Sequence, residues 1–160
     1  ELVGKFCNDL GISNTENLNN FFIGKFSDNN INNTISNDKI TLIRDLKENG
    51  YKVILFSNSC CLLNNDAIKE IYDLVDGVFY SYDIGYTKDD KESYQYVEKT
   101  LNVKPTEILH IGDTLKSDYL KPVENGWNAL FYGVSDDESV NCISSLMELY
   151  DFFDIRKSKK

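Results

Sequence analysis

Apolar residues recur along most of this chain in two alternating rhythms, one of helical period and one of short unbroken runs. From Asp38 the apolar positions Ile40, Ile43 and Leu46, with Lys47 beside them, predict a helix that stops at Asn49-Gly50, where glycine suits the left-handed position after a helix. Residues 51–56 follow as Tyr-Lys-Val-Ile-Leu-Phe, too short for a helix and apolar on both faces, which predicts a buried parallel strand. Leu63, Ala67, Ile68, Ile71, Leu74 and Val75 form a second helical stripe, expected to end at Gly77, and Val78-Phe79-Tyr80 form a second strand. The alternation then repeats. A helix is expected over residues 91–101, a strand over 108–111, a helix after Asp118 as far as Asn125-Gly126, and a strand over 128–131. A closing helix would carry Ile143, Leu146, Leu149 and Tyr150 on one face. Strands and helices alternating at this spacing specify an α/β fold, a doubly wound parallel sheet with helices on both faces. Ligands of such sheets sit at the carboxyl ends of the strands.

The first third reads differently. Leu2, Val3, Phe6 and Leu10 fall at helical spacing with Gly11 as a stop, so residues 2–10 are expected as a helix, and residues 18–26 as a second short one. Residues 27–34 are Asn-rich and aperiodic, and are read as a loop. The sequon Asn32-Asn33-Thr34 within it reads as a chance match in Asn-rich sequence.

Composition narrows the classes. At 160 residues and 41% hydrophobic content the chain has material for one domain with one core. Its 26 acidic against 17 basic side chains give a formal charge of −9, a field that repels nucleic-acid backbones and anionic lipid, so neither nucleic acid nor membrane is expected as a partner. No run approaches the roughly 18 apolar residues of a membrane span, and residues 1–5 lack the layout of a signal peptide. The four cysteines form no CxxC pair, and Cys60 and Cys61 are adjacent, which favours neither a disulfide framework nor a zinc site. A cytoplasmic or other reducing intracellular compartment is expected.

Unusual polar sets stand at the ends of the expected strands. Ser57-Asn58 follows the first, a hydroxyl and an amide able to donate to an oxyanion. Residues 81–88 follow the second and place Lys88 at a loop tip. Gly112 then opens a loop after the third, with Asp113 and Asp118 five residues apart. Converging on one sheet edge, these groups suit a hard divalent cation and a phosphoryl group. Each also has a plainer reading. Asp118 could cap the helix after it, Lys88 could be solvated, and Ser57-Asn58 could be a turn. His110, the only histidine, is read as a packed core residue rather than a general base. Packing is likewise the reading for Cys60, Cys61 and Trp127, and Lys157, Lys159 and Lys160 are read as a frayed tail.

Taken together, these residues resemble the haloacid dehalogenase (HAD) superfamily of phosphohydrolases over residues 38–134. The superfamily's second motif, an apolar strand ending in Ser/Thr-Asn, is matched by residues 53–58. Its lysine phrase S-x-x-x-G-x-x-K-P-D is matched by residues 81–90 with Lys88 in place, and its G-D-x-x-x-x-D by Gly112 to Asp118. The resemblance implies a HAD-like fold and a Mg²⁺-dependent phosphatase acting on a small phosphorylated metabolite. In that chemistry an aspartate of a first motif, DxDx[TV], forms a covalent aspartyl-phosphate that water hydrolyses. Asp113 and Asp118 would help to hold the metal, Ser57 and Asn58 a phosphoryl oxygen, and Lys88 the charge on nucleophile and transferring group. Two departures stand out: Asp89 replaces the usual proline, which should loosen the loop, and no DxDx[TV] precedes Val53.

The first motif belongs on the central strand of the superfamily's sheet, so its absence opens a gap that something must fill. Three readings remain open. The strand and its nucleophile precede Glu1, residues 1–37 being partial helical cap and connector and 38–160 the HAD-like core. Alternatively the domain is catalytically inactive, a structural or interaction subunit whose gap is filled by rearrangement or a partner protein. A degenerate motif at residues 9–13 with Asp9 as nucleophile is the third.

Overall fold

The computed structural model of the protein describes residues 35–58 and 69–155. The helices expected over 2–10 and 18–26, the loop over 27–34, Asp9, Cys60, Cys61, the first part of the helical stripe from Leu63, and the terminal lysines lie outside those residues.

Helix α1, Asn37–Glu48, buries Leu42 and Leu46 and ends where Gly50 takes the expected left-handed conformation, φ +87°. Strand β1, Ile54–Ser57, follows; helix α2, Lys69–Tyr72, then precedes β2, Gly77–Tyr80, which runs parallel to β1 with Ile54 opposite Gly77 and Ser57 opposite Tyr80. Gly77 therefore opens a strand, where the sequence pattern made it a helix stop. The reason lies one residue earlier. Asp76 exchanges bonds with Val53 through both its backbone and its carboxylate, at 2.7 and 2.9 Å, and Lys47 pairs with it at 2.9 Å, so pairing is already under way when Gly77 is reached.

A one-turn helix α3, Ser81–Ile84, and helix α4, Lys91–Leu101, lead to β3, Leu109–Gly112. A wide π-type helix over Leu115–Leu120 passes directly into α5, Lys121–Glu124, and the chain enters β4, Asn128–Tyr132. This helix starts ahead of Asp118 and contains it, so Asp118 does not cap it from outside. Instead its carboxylate turns back to accept the Thr114 amide at 3.0 Å.

The closing segment also differs from the expectation. Ile143 lies in a short strand β5, Cys142–Ile143, parallel to β4, and only then do a 3₁₀ turn over Leu146–Glu148 and helix α6, Leu149–Phe152, follow. Ser145 and Glu148 form a capping box, with the Glu148 carboxylate accepting the Ser144 and Ser145 amides at 2.9 Å. That box fixes where the helix begins and leaves Cys142 and Ile143 extended.

The strands form a parallel pair β1-β2 and a parallel triplet β3-β4-β5. Among the described residues no strand pairs with the free edges of β1 and β3. Apolar side chains alternate between the two faces. Leu130 and Ile143 pack with Leu42 and Leu46 of α1 and Leu149 and Tyr150 of α6, while Phe56 and Phe79 pack with Tyr94 and Val97 of α4 and with Trp127. Val97 is fully buried, a burial that contributes about 1.5–3 kcal/mol. The Tyr150 hydroxyl donates to the Asp45 carboxylate at 2.7 Å, tying the last helix to the first across 105 residues.

Candidate active site

The carboxyl ends of β1 and β3, with the loop after β2, bring the sequence-selected residues into one neighbourhood. At its centre is Lys88, only 7% exposed although it carries a charge. A buried ammonium is costly unless it is paired and hydrogen-bonded, and this one is held at several points. Its backbone N–H donates to the Asn58 carboxamide oxygen at 2.8 Å and its carbonyl accepts the Tyr94 hydroxyl at 2.9 Å. Its Nζ donates to Asp118 Oδ1 at 2.6 Å and lies 5.3 Å from the centroid of the Phe56 ring. Elements from both sheets thus aim one cation at one carboxylate.

Asp118 is as deeply buried as its partner, at 6% exposure. Burial opposes its ionisation, but the His110 ring beside it, the bond from Lys88, the Lys88 charge and the Thr114 amide outweigh that and hold its carboxyl well below the usual range. Gly112 is what lets it sit there: a Cβ on Gly112 would come 2.5 Å from Asp118 Cγ. The glycine of the G-D-x-x-x-x-D phrase is a space for the second aspartate.

Asp113 behaves oppositely. It is exposed and makes no hydrogen bond or ion pair among the described residues. The two carboxylates, read from sequence as an equivalent pair, therefore differ: one is locked to lysine, the other is free. Ser57 is half-buried, and the Asn58 amide oxygen is spent on the Lys88 backbone; among the described residues neither the Ser57 hydroxyl nor the Asn58 NH₂ has a hydrogen-bond partner.

The donor set suits a hard cation in part. Asp113 is an oxygen ligand of the right kind, whereas Asp118 presents one oxygen to Lys88 and the other to Thr114. Among the described residues no group of three His, Cys, Asp or Glu side chains converges as a metal site. A metal held by Asp113 would draw further ligands from elsewhere.

Asp89, where proline was expected, pairs with Lys116 of the π-type helix at 2.9 Å. The loop is also closed on itself by Asp90, which accepts the Thr87 amide and hydroxyl, both at 2.8 Å. The expectation that losing proline leaves this loop loose is thus offset by a tie to the π-type helix, and the Asp89 carboxylate is turned toward Lys116.

Sequence reasoning passed over one polar contact of the site. His110 is buried as expected, edge-on to Phe56 at 5.9 Å between ring centroids, yet its Nε2 lies 3.3 Å from Asp118 Oδ1 and 3.4 Å from Lys88 Nζ. Burial pushes its pKa down, Asp118 pulls it up and Lys88 lowers it again, with a net depression. The available signal was its spacing, eight residues before Asp118 on the strand that leads into the loop.

No helix among the described residues is long and apolar enough to cross a membrane. The sequence profile of a hydrolase family, haloacid dehalogenase-like hydrolase, matches residues 14–120. Comparison with curated proteins returns no match. Among solved structures, a HAD phosphatase from Thermococcus onnurineus superimposes with a TM-score of 0.67 at 22% identity, over 78% of this chain and 60% of that one. The HAD-hydrolase YfnB from Bacillus subtilis, in a structure bound to magnesium, gives 0.62 at 22% identity over 71% of this chain and 52% of that one. A 2-haloacid dehalogenase from Pseudomonas syringae gives 0.58 at 17% identity, over 71% and 52%. This chain spans between half and three-fifths of the length of these three structures, which share its fold.

Proposed function

This chain belongs to the haloacid dehalogenase-like hydrolases, and from that membership we propose that it is the greater part of a Mg²⁺-dependent phosphatase acting on a small phosphorylated metabolite. The observation that carries the reading is the division of labour between the two aspartates. Asp118 is bound to Lys88 at 2.6 Å in a nearly dry setting, and Asp113 is exposed and uncommitted beside it.

In this reading Asp113 holds the magnesium ion, which when bound offsets charge on the transferring phosphoryl group. Lys88, held ready by Asp118, Asn58 and Tyr94, supplies a positive charge to the same group. Ser57 Oγ and the Asn58 NH₂ donate to a phosphoryl oxygen and orient it for in-line attack. The attacking carboxylate comes from a strand outside the described residues that fills the free edges of β1 and β3. It displaces the alcohol from phosphorus to give an aspartyl-phosphate, and water then cleaves that bond to release phosphate. Asp113, an exposed oxygen ligand suited to a hard cation, favours phosphoryl transfer over the dehalogenase activity in the names of several structural neighbours.

The test is hydrolysis of 4-nitrophenyl phosphate by the protein with and without Mg²⁺, repeated with Asp113→Asn. Magnesium-dependent release of 4-nitrophenol that disappears in the variant, with unchanged thermal stability, is the expected result. Turnover that survives Asp113→Asn would overturn the metal assignment, and halide release from a 2-haloacid would move the chain to the dehalogenase side. Absence of either activity would leave the second reading, a catalytically inactive HAD-like subunit of a larger assembly.

A further inference from the structure

Lys88 and Asp118 make opposite demands on any third group beside them. An ammonium can only donate hydrogen bonds and a carboxylate can only accept them. His110 Nε2 stands within 3.4 Å of one and 3.3 Å of the other, and a neutral imidazole nitrogen can meet either demand according to which nitrogen carries the proton. The ring has little freedom to move away. It is 9% exposed and packed edge-on to Phe56 at 5.9 Å and tilted against Trp127 at 6.2 Å.

We propose that His110 is a positioning residue: its Nε2 accepts from Lys88 while that ammonium rests on Asp118, and donates to Asp118 when Lys88 turns to a phosphoryl oxygen. The buried Asp118 carboxylate then never loses its side-chain donor, and the cost of lifting Lys88 off it is reduced. The ring gains no proton in the exchange; one proton leaves Nδ1, one arrives at Nε2, and solvent carries it. The moment at which Lys88 leaves rests on the phosphatase reading above, whereas the response of the ring to its two neighbours does not.

Because His110 is the only histidine, the imidazole region of a ¹⁵N spectrum reports this ring alone. The wild-type protein is expected to show mainly the Nδ1–H tautomer, and Lys88→Met to show Nε2–H, since Asp118 is then the partner left at that nitrogen among the described residues. Adding Mg²⁺ and orthovanadate, a phosphate analogue, to the wild type should shift it in the same direction as Lys88→Met. An identical tautomer in wild type and Lys88→Met would overturn the proposal. His110→Phe keeps the ring packing and removes the nitrogen, and circular dichroism verifies its fold. It should lower kcat roughly 10- to 100-fold with little change in KM, and His110→Gln, whose amide both donates and accepts, should recover part of the loss. A wild-type kcat in His110→Phe would also overturn it. If the tautomer follows Lys88 while the wild type hydrolyses no phosphoester, the positioning role stands and the phosphatase reading falls.

Discussion

Replacing Gly112 with alanine sets a methyl group against Asp118. The new carbon would stand 2.5 Å from Asp118 Cγ and 2.6 Å from both Cβ and Oδ2, closer than carbon atoms tolerate. The aspartate cannot simply rotate away, because Oδ1 is bound to Lys88 at 2.6 Å and Oδ2 to the Thr114 amide at 3.0 Å. Overpacking of this kind costs about 1–3 kcal/mol. Displacing the carboxylate adds part of the 3–5 kcal/mol or so that a fully broken buried ion pair costs. A loss of about 2–4 kcal/mol follows, which at this chain length lowers Tm by about 5–15 °C. Urea and thermal unfolding followed by circular dichroism measure it, with Gly50→Ala as the control. Gly50 sits at φ +87° with nothing within 4 Å of its would-be Cβ, so its substitution costs only the backbone term of about 1 kcal/mol. If Gly112→Ala proves no more destabilising than Gly50→Ala, the close approach of Asp118 is not what that glycine serves.

Further expectations concern charge. The pKa of Asp118 is depressed on folding, so its stabilisation is complete above an unfolded value of about 3.9 and is lost as pH falls toward the folded one; Asp118→Asn should be less stable at neutral pH and show a flatter acid limb in urea titrations below about pH 4, and parallel limbs would contradict the pairing. Tyr150→Phe removes a hydroxyl that donates to a buried carboxylate and should cost about 1.5–3 kcal/mol in urea unfolding, an unchanged midpoint refuting the tether. Lys116→Ala breaks an exposed pair with Asp89 and should cost no more than about 1 kcal/mol at low salt, and less in 1 M NaCl, whereas a large salt-insensitive loss would show a structural role beyond the ion pair.

The elements that could be read from sequence were those whose signal is local. Helix α4 was legible to the residue because its buried positions, Ser93, Tyr94 and Val97, recur at helical spacing. The strand cores at Phe56, Phe79 and Leu130 were legible because runs of this kind have few alternatives. Errors came where a distant partner decided the outcome. Gly77 reads as a stop until Asp76 is seen bonded to Val53 across 23 residues, and Ile143 reads as helical until the Ser145–Glu148 box and the edge of β4 are in place. The same holds at the site. Lys88, Asp113 and Asp118 could be selected from their phrases, but the inequality of the two aspartates depends on which one Lys88 reaches, and nothing in the spacing of the loop records that. His110 was hidden for a similar reason, since a strand interior predicts burial and is silent about what is buried beside it.

The groups proposed for chemistry also join the two sheets. Lys88 comes from the loop after β2 and Asp118 from the helix after β3, and their bond at 2.6 Å crosses from the β1-β2 pair to the triplet. Asn58 and Tyr94 hold the Lys88 backbone on the first side, and Phe56 of β1 meets His110 of β3 edge-on. With no strand among the described residues between β1 and β3, these contacts carry a load that a central strand's ladder of backbone bonds would otherwise share. Losing either charge leaves its partner buried and uncompensated at the junction. Activity and stability are therefore coupled at Lys88 and Asp118 and separable at Asp113, which makes no hydrogen bond or ion pair among the described residues. A strand that fills the free edges should relax that coupling, so the cost of Asp118→Asn measured by unfolding should shrink when such a strand is supplied, while the effect of Asp113→Asn on magnesium-dependent turnover should not.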